Sequence, residues 1–226
     1  MKRTFALGDL HGNYNLWKAI LSKLDPTDKV YCLGDVVDRG PKGYEILIEM
    51  LADDRFTLLK GNHEDMFAES IKTYSKHGEG YDWLHISNGG EPTLTAWINA
   101  GAKPGLLGII NRLPKMVKYI NKNFEEVCLS HAGFNPETDE EYRDYLWDRE
   151  HFYEFTNWNR YSNYYIIHGH TPIVYMLEDL EKKDVKITSP YWYDEGHKCC
   201  IDFLSWRSNY TFLLDLDTFE AVEVRV

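Results

Sequence analysis

The stretch Thr4-Phe5-Ala6-Leu7-Gly8-Asp9-Leu10-His11-Gly12 shows the pattern that decides the fold: a short apolar run that ends in glycine and then in polar side chains. A short apolar run of this kind is typical of a buried strand. Over residues 13–24, apolar side chains recur at helical spacing, which predicts an amphipathic helix. Asp25-Pro26 ends this helix, because proline does not continue a helix from its interior. The stretch therefore predicts a strand, a polar turn and a helix.

The same pattern occurs twice more before residue 65. An apolar run over 30–33 leads into Gly34-Asp35-Val36-Val37-Asp38-Arg39-Gly40, and a helical pattern follows over 44–50. A third run, over 56–59, leads into Gly61-Asn62-His63-Glu64. Alternating strands and helices predict an α/β fold with a parallel sheet and right-handed crossovers. Because ligands bind outside the carboxyl ends of such strands, we expect the three polar clusters to meet there.

Two later strands are also predicted to end in histidine-containing turns. Residues 127–130 precede His131-Ala132-Gly133, and residues 164–167 precede His168-Gly169-His170-Thr171. Between them, the acidic stretch 136–150 predicts an exposed helix. Residues 65–126 predict helices broken by loops, which form a cap beside the crevice. Three runs, over 200–204, 210–216 and 221–226, predict a terminal strand meander. We find no repeat and no linker, which predicts a single domain over 1–226.

The strand ends supply side chains whose oxygen and nitrogen atoms suit a divalent metal. Without a cysteine, such a set favours cations such as Mn²⁺, Fe²⁺ or Zn²⁺. Two-metal sites hold their ions about 3.5–4 Å apart, and Asp35, on the middle strand, is well placed to bridge them. A lone aspartate after a strand is more often a cap or turn residue, but five glycine-flanked clusters together favour a metal site. The candidate ligands are Asp9, His11, Asp35, Asn62, His131 and His170.

The charge of the chain excludes one class of partner. Its 226 residues include 25 Lys and Arg against 36 Asp and Glu, a net charge of −11. Nucleic-acid-binding proteins normally carry a basic patch, so we expect no nucleic-acid partner. Phosphorylated substrates remain compatible, because a bound metal outweighs nearby carboxylates. No run approaches the ~18–20 apolar residues of a membrane span, and the first apolar run is shorter than the ~7–15 residues of a secretory signal. We therefore expect a cytoplasmic protein with no membrane partner.

The other cysteines and histidines receive structural interpretations. Cys32 and Cys128 lie in apolar runs, which is typical of buried, inert thiols. A redox role for Cys199-Cys200 is disfavoured, because disulfides are rare in cytosolic proteins. We interpret His168 as structural, with an indirect role behind the metal ligands as the alternative, and we do not assign His197 to a metal.

The motifs resemble those of a known family. Gly8-Asp9-Leu10-His11-Gly12, Gly34-Asp35-Val36-Val37-Asp38-Arg39-Gly40 and Gly61-Asn62-His63-Glu64 resemble the three signature motifs of the phosphoprotein phosphatases, the dinuclear-metal serine/threonine protein phosphatases among the calcineurin-like metallophosphoesterases. The later motifs, His131-Ala132-Gly133, Trp147-Asp148-Arg149-Glu150 and Gly169-His170-Thr171, are similar to those of the bacterial and bacteriophage-lambda-type branch. The resemblance implies a β-sandwich core flanked by helices, with a small cap region.

The resemblance further implies two metal ions, most simply Mn²⁺, with Fe or Zn as alternatives. Asp9, His11 and Asp35 would hold the first ion. Asp35, as the bridge, would hold the second ion together with Asn62, His131 and His170.

Catalytic and phosphate-binding roles are also implied by the resemblance. His63 matches the general acid that protonates the leaving alkoxide, and Asp38 matches the carboxylate that orients this histidine and favours its charged form. Arg39 and Arg149 match the phosphate-binding arginines, whose guanidinium groups fit phosphate oxygens in pairs. Asn62 is expected to contact the phosphate as well. One departure is that Ile201-Asp202 precedes Phe203-Leu204 where relatives carry Ile-Asp-Thr-Gly, so we expect a different rim there.

The implied activity is hydrolysis of phosphoserine and phosphothreonine in proteins by a metal-bridging hydroxide, with phosphotyrosine or small phosphoesters as side substrates. Symmetrical diadenosine tetraphosphatases share the first three motifs and are the alternative. Glu64, the Trp147-Asp148-Arg149-Glu150 motif and Thr171 favour the protein phosphatases. An inactive scaffold that serves as a binding module is a second alternative, disfavoured because every expected donor type is present.

Overall fold

The computed structural model describes residues 2–77, 82–137, 144–182 and 186–226. Its strands are β1 (Thr4–Leu7), β2 (Lys29–Cys32), β3 (Phe56–Leu58), β4 (Met116–Ile120), β5 (Glu126–Ser130), β6 (Tyr164–His168), β7 (Tyr191–Tyr193), β8 (Lys198–Cys200), β9 (Tyr210–Asp215) and β10 (Ala221–Arg225). Its α-helices are α1 (Tyr14–Lys23), α2 (Gly43–Ala52), α3 (Asn62–His77), α4 (Glu91–Asn99), α5 (Pro104–Asn111), α6 (Ile173–Asp179) and α7 (Ser205–Ser208). The strand–helix alternation predicted for the first 64 residues is confirmed.

The strands form two five-stranded mixed sheets. The first has the order β10-β9-β1-β2-β3, in which β1, β2 and β3 are parallel and β9 and β10 pair antiparallel. The second has the order β4-β5-β6-β8-β7, in which β5, β6 and β8 are parallel and the edge strands β4 and β7 are antiparallel. Each sheet therefore contributes a parallel centre whose carboxyl ends carry the glycine-flanked turns.

The two sheets pack face to face. Side chains alternate across a strand, and in β1 Ala6 packs with Leu129, Ile167 and Cys199 of the second sheet. Phe5 and Leu7 point the other way, into a core shared with α1, α2 and α3. The β-sandwich flanked by helices is thus confirmed.

The structure corrects the predicted terminal meander. β9 and β10 form an antiparallel hairpin on the first sheet, whereas β8 ends at Cys200 and belongs to the second sheet. Residues 201–204 are irregular. The chain crosses between the sheets here, and the backbone carbonyl group of Ile201 lies directly against Gly8, the residue after β1.

Two other predictions for the middle of the chain need correction. Residues 65–126 do contain α4 and α5, but they also contain β4, whose partly exposed residues give only a weak strand pattern at the edge of the sheet. Within the acidic stretch 136–150, the described residues 136–137 and 144–149 form turns and irregular structure rather than a helix. The rest of that stretch, 138–143, lies outside the described residues.

Among the described residues, no helix has both the length and the apolar character that crossing a lipid bilayer requires.

Candidate active site

The turns after five parallel strands meet at one end of the sandwich. Each candidate ligand follows a strand directly or opens the next helix, and each is buried. The structure brings all six together: Asp9 and His11 after β1, Asp35 after β2, Asn62 at the start of α3, His131 after β5 and His170 after β6. The convergence expected from the parallel topology is therefore present.

One group of donors forms around His11. Its Nδ1 atom lies 3.0 Å from the Val37 carbonyl oxygen, which orients the ring. Its Nε2 atom consequently points inward, 3.5 Å from Oδ2 of Asp35 and 3.9 Å from Oδ2 of Asp9. Donor atoms of His11, Asp35 and His63 all lie within 4.8 Å of one another.

A second group forms on the other side of Asp35. His131 is oriented by a 2.9 Å contact from Nδ1 to the Leu33 carbonyl oxygen, and its Nε2 lies 3.4 Å from Oδ1 of Asp35. Asn62 Oδ1 lies 2.7 Å from His131 Nε2 and 3.0 Å from His170 Nδ1. Donor atoms of Asp35, His131 and His170 again lie within 4.8 Å. Asp35 is thus shared by both groups, one oxygen facing each.

Five residues of these turns adopt an unfavourable backbone conformation. Non-glycine residues avoid the left-handed region, which costs about 1–2 kcal/mol per residue. The site nevertheless places five residues there: His11 (φ 42°), Asp35 (φ 53°), Asp38 (φ 68°), Arg39 (φ 62°) and His170 (φ 66°). The surrounding structure therefore holds these side chains against a backbone preference, as functional sites often do.

Burial and neighbouring charges set the protonation of the candidate ligands. Burial lowers the pKa of His11, His131 and His170 below 6.5, which keeps them in the neutral form that binds metals. Burial would raise the pKa of Asp35, but the charge favoured on the adjacent His63 imidazole and the His63 backbone N–H, which donates to Oδ1 at 3.0 Å, more than offset it and hold that pKa below 3.8. The shared carboxylate is therefore ionised.

The cluster is chemically suited to divalent cations. Burial, Asp202 and Asp35 together raise the pKa of Asp9 well above 3.8, because carboxylates crowd there and Arg39 offsets only part of their charge. Among the described residues, Oδ2 of Asp9 and Nε2 of His170 are buried without a hydrogen-bond partner. Buried polar atoms are nearly always satisfied, and a bound cation would satisfy Oδ2 of Asp9 and remove the repulsion between the carboxylates. The residues present fit a dinuclear metal site of oxygen and nitrogen ligands.

His63 differs electrostatically from the three neutral histidines. Its Nδ1 atom lies 2.8 Å from Oδ2 of Asp38, which also accepts a 2.7 Å hydrogen bond from the Trp83 indole N–H. Burial lowers the pKa of His63, but Asp35 and Asp38 more than compensate and raise it above 6.5. This arrangement favours an imidazolium whose Nε2 faces the cluster, which is the state that a general acid requires.

Arg39, from the second motif, lies between His11 of the first motif and His63 of the third. Its Nη1 lies 2.6 Å from His11 Nε2, and its Nη2 lies 3.1 Å from His63 Nε2. Because His11 Nε2 is also the nitrogen available to a metal, the two contacts are mutually exclusive. Metal binding through His11 requires the guanidinium to move outward, and so does a proton on His63 Nε2, because arginine N–H groups only donate.

Arg149 lies at the mouth of the site rather than in the buried cluster. It is exposed, and it lines a cleft of ≈ 760 Å³ together with Arg39 and His170. Two residues before it, Trp147 packs edge-on against the His170 ring, with centroids 5.8 Å apart. Both predicted phosphate-binding arginines therefore border one cleft that reaches the donor cluster.

Glu64 has a structural role that the sequence analysis missed. Its fully buried carboxylate accepts hydrogen bonds from the backbone N–H groups of Asp35 (2.8 Å), Val36 (2.9 Å), Val37 (3.3 Å) and Gly61 (2.9 Å). Burial and the nearby Asp35 raise the pKa of Glu64 to about 7. The side chain ties the second and third motifs together. Its position directly after Asn62-His63 was the available signal.

Three further neighbours gave little signal in the sequence. Trp83 reaches Asp38 from the 3-10 helix Asp82–Leu84. Asp202 is buried, and burial raises its pKa to about 7, close to Asp9. The Ser205 hydroxyl donates to the Asp9 carbonyl oxygen. These contacts span 45 residues or more, so local patterns do not reveal them.

The histidines and cysteines that were interpreted as structural lie outside the cluster of six candidate ligands. His168 Nε2 lies 2.7 Å from the Tyr193 hydroxyl, which in turn lies 3.1 Å from His151 Nδ1, in a buried network behind the donor cluster. His197 stacks between Trp158 and Tyr165. All four cysteines are buried thiols outside any disulfide. Burial raises the thiol pKa of Cys199 and Cys200 well above 9.0, which makes them unreactive.

Comparison with known proteins finds one matching family. The family model described as calcineurin-like phosphoesterase matches residues 2–210. Serine/threonine-protein phosphatase 2 of Escherichia coli (strain K12) is 29% identical over 139 residues, which cover 59% of this chain and 59% of the relative. A symmetrical bis(5'-nucleosyl)-tetraphosphatase of Nitrosococcus oceani is 29% identical over 140 residues, covering 60% of this chain and 45% of the relative. The matched region thus spans about half the length of these relatives.

Solved structures share the whole fold. The cold-active protein-tyrosine phosphatase of a psychrophilic Shewanella species superposes with a TM-score of 0.61 at 16% identity, covering 99% of this chain and 77% of the other. At this identity the likeness establishes the sandwich architecture alone.

Proposed function

Because the chain belongs to the calcineurin-like phosphoesterase family, whose members are metal-dependent hydrolases of phosphoesters, we propose that it is a phosphomonoesterase that removes phosphate from phosphoserine and phosphothreonine in proteins. The observation that carries this proposal is the position of Asp35 between two donor groups, with the His63–Asp38 pair directly beside it. Residues 1–226 would form one catalytic domain.

Two metal ions would be held by the six buried donors. Asp9, His11 and Asp35 would hold one ion, and Asp35, Asn62, His131 and His170 the other. Oxygen and imidazole ligands without thiolate suit Mn²⁺, our first choice, and also Fe²⁺ or Zn²⁺. When bound, such ions act as Lewis acids that lower the pKa of water and offset the charge of the phosphate oxygens.

His63 would act on the leaving group. As water attacks phosphorus, the bond from phosphorus to the serine or threonine oxygen breaks, and that oxygen takes a proton from His63 Nε2. Asp38 holds the opposite nitrogen at 2.8 Å and thereby favours the charged imidazole before transfer. Trp83 fixes the orientation of that carboxylate through its 2.7 Å hydrogen bond.

Arg39 and Arg149 would bind the phosphate oxygens. Both border the cleft above the donors, and guanidinium groups pair with phosphate through two parallel hydrogen bonds. Arg39 now contacts His11 and His63 at the base of the cleft. It would exchange these contacts for oxygen atoms of the phosphate when substrate binds. The Asn62 amide nitrogen would contribute a further donor, since its Oδ1 faces His131 and His170.

Symmetrical dinucleoside polyphosphate hydrolysis is the second candidate function, favoured by the similarity to the Nitrosococcus oceani tetraphosphatase. Glu64, the Trp147-Asp148-Arg149-Glu150 motif and Thr171 support the protein phosphatase instead, as does the similarity to the Escherichia coli phosphatase. Turnover of a phosphoserine peptide and of diadenosine tetraphosphate, compared with Mn²⁺ present, separates the two. A tenfold preference for the dinucleotide would reject the protein phosphatase.

An inactive binding scaffold is tested in the same preparation. We expect the protein with Mn²⁺ to hydrolyse p-nitrophenyl phosphate, because the six candidate ligands and the His63–Asp38 pair are buried beside one another. Failure to do so with both metal ions bound would support the scaffold.

A further inference from the structure

A third arginine borders the active-site cleft and has no assigned role. Arg207 lines the cleft together with Arg39 and Arg149, and each of the three comes from a different segment of the chain. Leu84, Ile86 and Tyr175 supply apolar surface in the same cleft, and Glu91 is the single acidic residue among the described residues that line it. In a chain with a net charge of −11, this cleft is locally cationic.

These three arginines differ from most others in the structure. Arg3, Arg55, Arg160 and Arg225 each pair with a carboxylate. Within residues 2–77, 82–137, 144–182 and 186–226, no carboxylate oxygen lies within 4.0 Å of the guanidinium groups of Arg39, Arg149 or Arg207. An anion that enters the cleft therefore meets charges that are not already neutralised.

Arg207 is held in place by an aromatic ring. Its guanidinium lies 4.4 Å from the centroid of the Trp206 ring, and that of Arg39 lies 5.9 Å from the same centroid. Such cation–π contacts hold a cation while leaving its N–H groups free to donate. The Trp206 ring therefore positions both guanidinium groups at the cleft.

The short helix that carries these two residues is anchored to the metal site. The Ser205 hydroxyl donates to the Asp9 carbonyl oxygen, and Asn13 Nδ2 donates to the Ser205 carbonyl oxygen at 2.8 Å. On the preceding turn, the Leu204 N–H donates to Oδ1 of the buried Asp202 at 2.8 Å. Arg207 is thus presented from a fixed platform, in the segment where the sequence departs from Ile-Asp-Thr-Gly.

We propose that Arg207 binds a second anionic group of the substrate while Arg39 and Arg149 hold the phosphate that is hydrolysed. The preferred substrate is then a phosphorylated protein segment with an acidic side chain near the phosphoserine or phosphothreonine. This inference rests on the proposed function, since it names the substrate class of the same site.

The test compares two phosphoserine peptides that differ only in flanking residues, aspartate and glutamate in one, asparagine and glutamine in the other. For wild-type protein with Mn²⁺, we expect kcat/KM for the acidic peptide to be about tenfold higher, the size of one charge-assisted hydrogen bond. Arg207→Gln should reduce this ratio to about one, mainly through KM, because Arg207 holds a group that does not react. Arg207→Lys should keep part of the preference.

Arg112 provides the matched control. It is an exposed arginine at the end of α5 that does not line the cleft, so Arg112→Gln should leave the ratio at the wild-type value. Raising the salt concentration should reduce the wild-type preference, because an exposed charge pair is screened.

Each outcome separates the inference from the function on which it rests. Equal kcat/KM for the two peptides, or a preference that survives Arg207→Gln, overturns the Arg207 subsite and leaves the phosphatase function standing. Hydrolysis of p-nitrophenyl phosphate but of neither peptide overturns both. If Arg207→Gln lost activity on diadenosine tetraphosphate and kept it on both peptides, Arg207 would bind a polyphosphate. That result would reject the acidic protein segment as its ligand.

Discussion

The Nδ1 atom of His63 lies 2.8 Å from Oδ2 of Asp38, and this buried contact distinguishes His63 from the other histidines of the cluster. Asp38 and Asp35 raise the pKa of His63, whereas burial lowers the pKa of His11, His131 and His170. One imidazole is therefore prepared to donate a proton and three to bind cations. The first two predictions test this division.

His63→Asn should lower kcat by about 10²–10⁴, the usual contribution of general acid–base catalysis. The loss should be larger for phenyl phosphate than for p-nitrophenyl phosphate, because a good leaving group needs less help from an acid. Metal content is measured in the same samples. Since His63 also lies near His11 and Asp35, loss of one ion per chain would place it among the ligands instead.

Asp38→Asn should move the alkaline limb of the kcat/KM profile to lower pH. An acid works only while protonated, so the rate falls as pH rises through its pKa. Asp38 raises the pKa of His63 through its hydrogen bond and its charge; the amide removes the charge and leaves a weaker, neutral acceptor. The pH–rate profiles of the two proteins are compared. An alkaline limb at the wild-type pH, or at higher pH, would show that Asp38 does not raise the pKa of His63.

Asp35→Asn should abolish binding of both metal ions, or nearly so. Each Asp35 oxygen faces a different donor group, His11 on one side and His131 on the other, so the substitution disturbs both. Equilibrium dialysis with Mn²⁺ measures the result. A variant that still binds two ions tightly would show that Asp35 does not bridge them.

Glu64→Gln should lower the free energy of unfolding by about 1–3 kcal/mol, because an amide NH₂ group faces backbone N–H donors that the carboxylate accepted. Glu69→Gln, on the exposed side of the same helix, is the matched control and should change stability by less than about 0.5 kcal/mol. Urea unfolding measures both variants. Equal stabilities would show that Glu64 does not hold the two turns together.

Lys198→Met should destabilise the fold by about 3–5 kcal/mol, because it leaves Asp194 buried without its 3.0 Å partner. Burial lowers the pKa of Lys198, so the folded state binds fewer protons than the unfolded state below pH 10.5. The contribution of Lys198 to the unfolding free energy should therefore rise with pH toward 10.5, and the pH slope of Lys198→Met should lack this positive contribution. A double variant with Asp194→Asn should recover part of the loss. An unchanged slope would mean that Lys198 titrates alike in both states.

The sequence predicted the strand ends well because each ligand lies directly after an apolar run, where local pattern and topology determine position together. Asp9, Asp35 and Asn62 were found in this way. Glu64, Trp83 and Ser205 were missed because their roles depend on contacts across 27 or more residues, which periodicity does not show.

The edges of the sandwich were harder to predict than its centre. β4 alternates between partly buried and exposed positions, so it lacks the continuous apolar run of β1 or β5. A strand was predicted over 200–204 because Ile201 and Phe203 are apolar. Both side chains are buried, but they lie where the chain crosses between the sheets, beyond the last paired residue of β8 at Cys200. Burial alone does not distinguish these two situations.

The most direct test of the proposed two-metal phosphomonoesterase joins metal stoichiometry to turnover. Metal-free protein is titrated with Mn²⁺ by equilibrium dialysis while hydrolysis of a phosphoserine peptide is followed in matched samples. Because Asp35 is shared by two donor groups, we expect activity to reach its maximum at two bound ions per chain. Full activity with one ion, or without metal, would contradict the account.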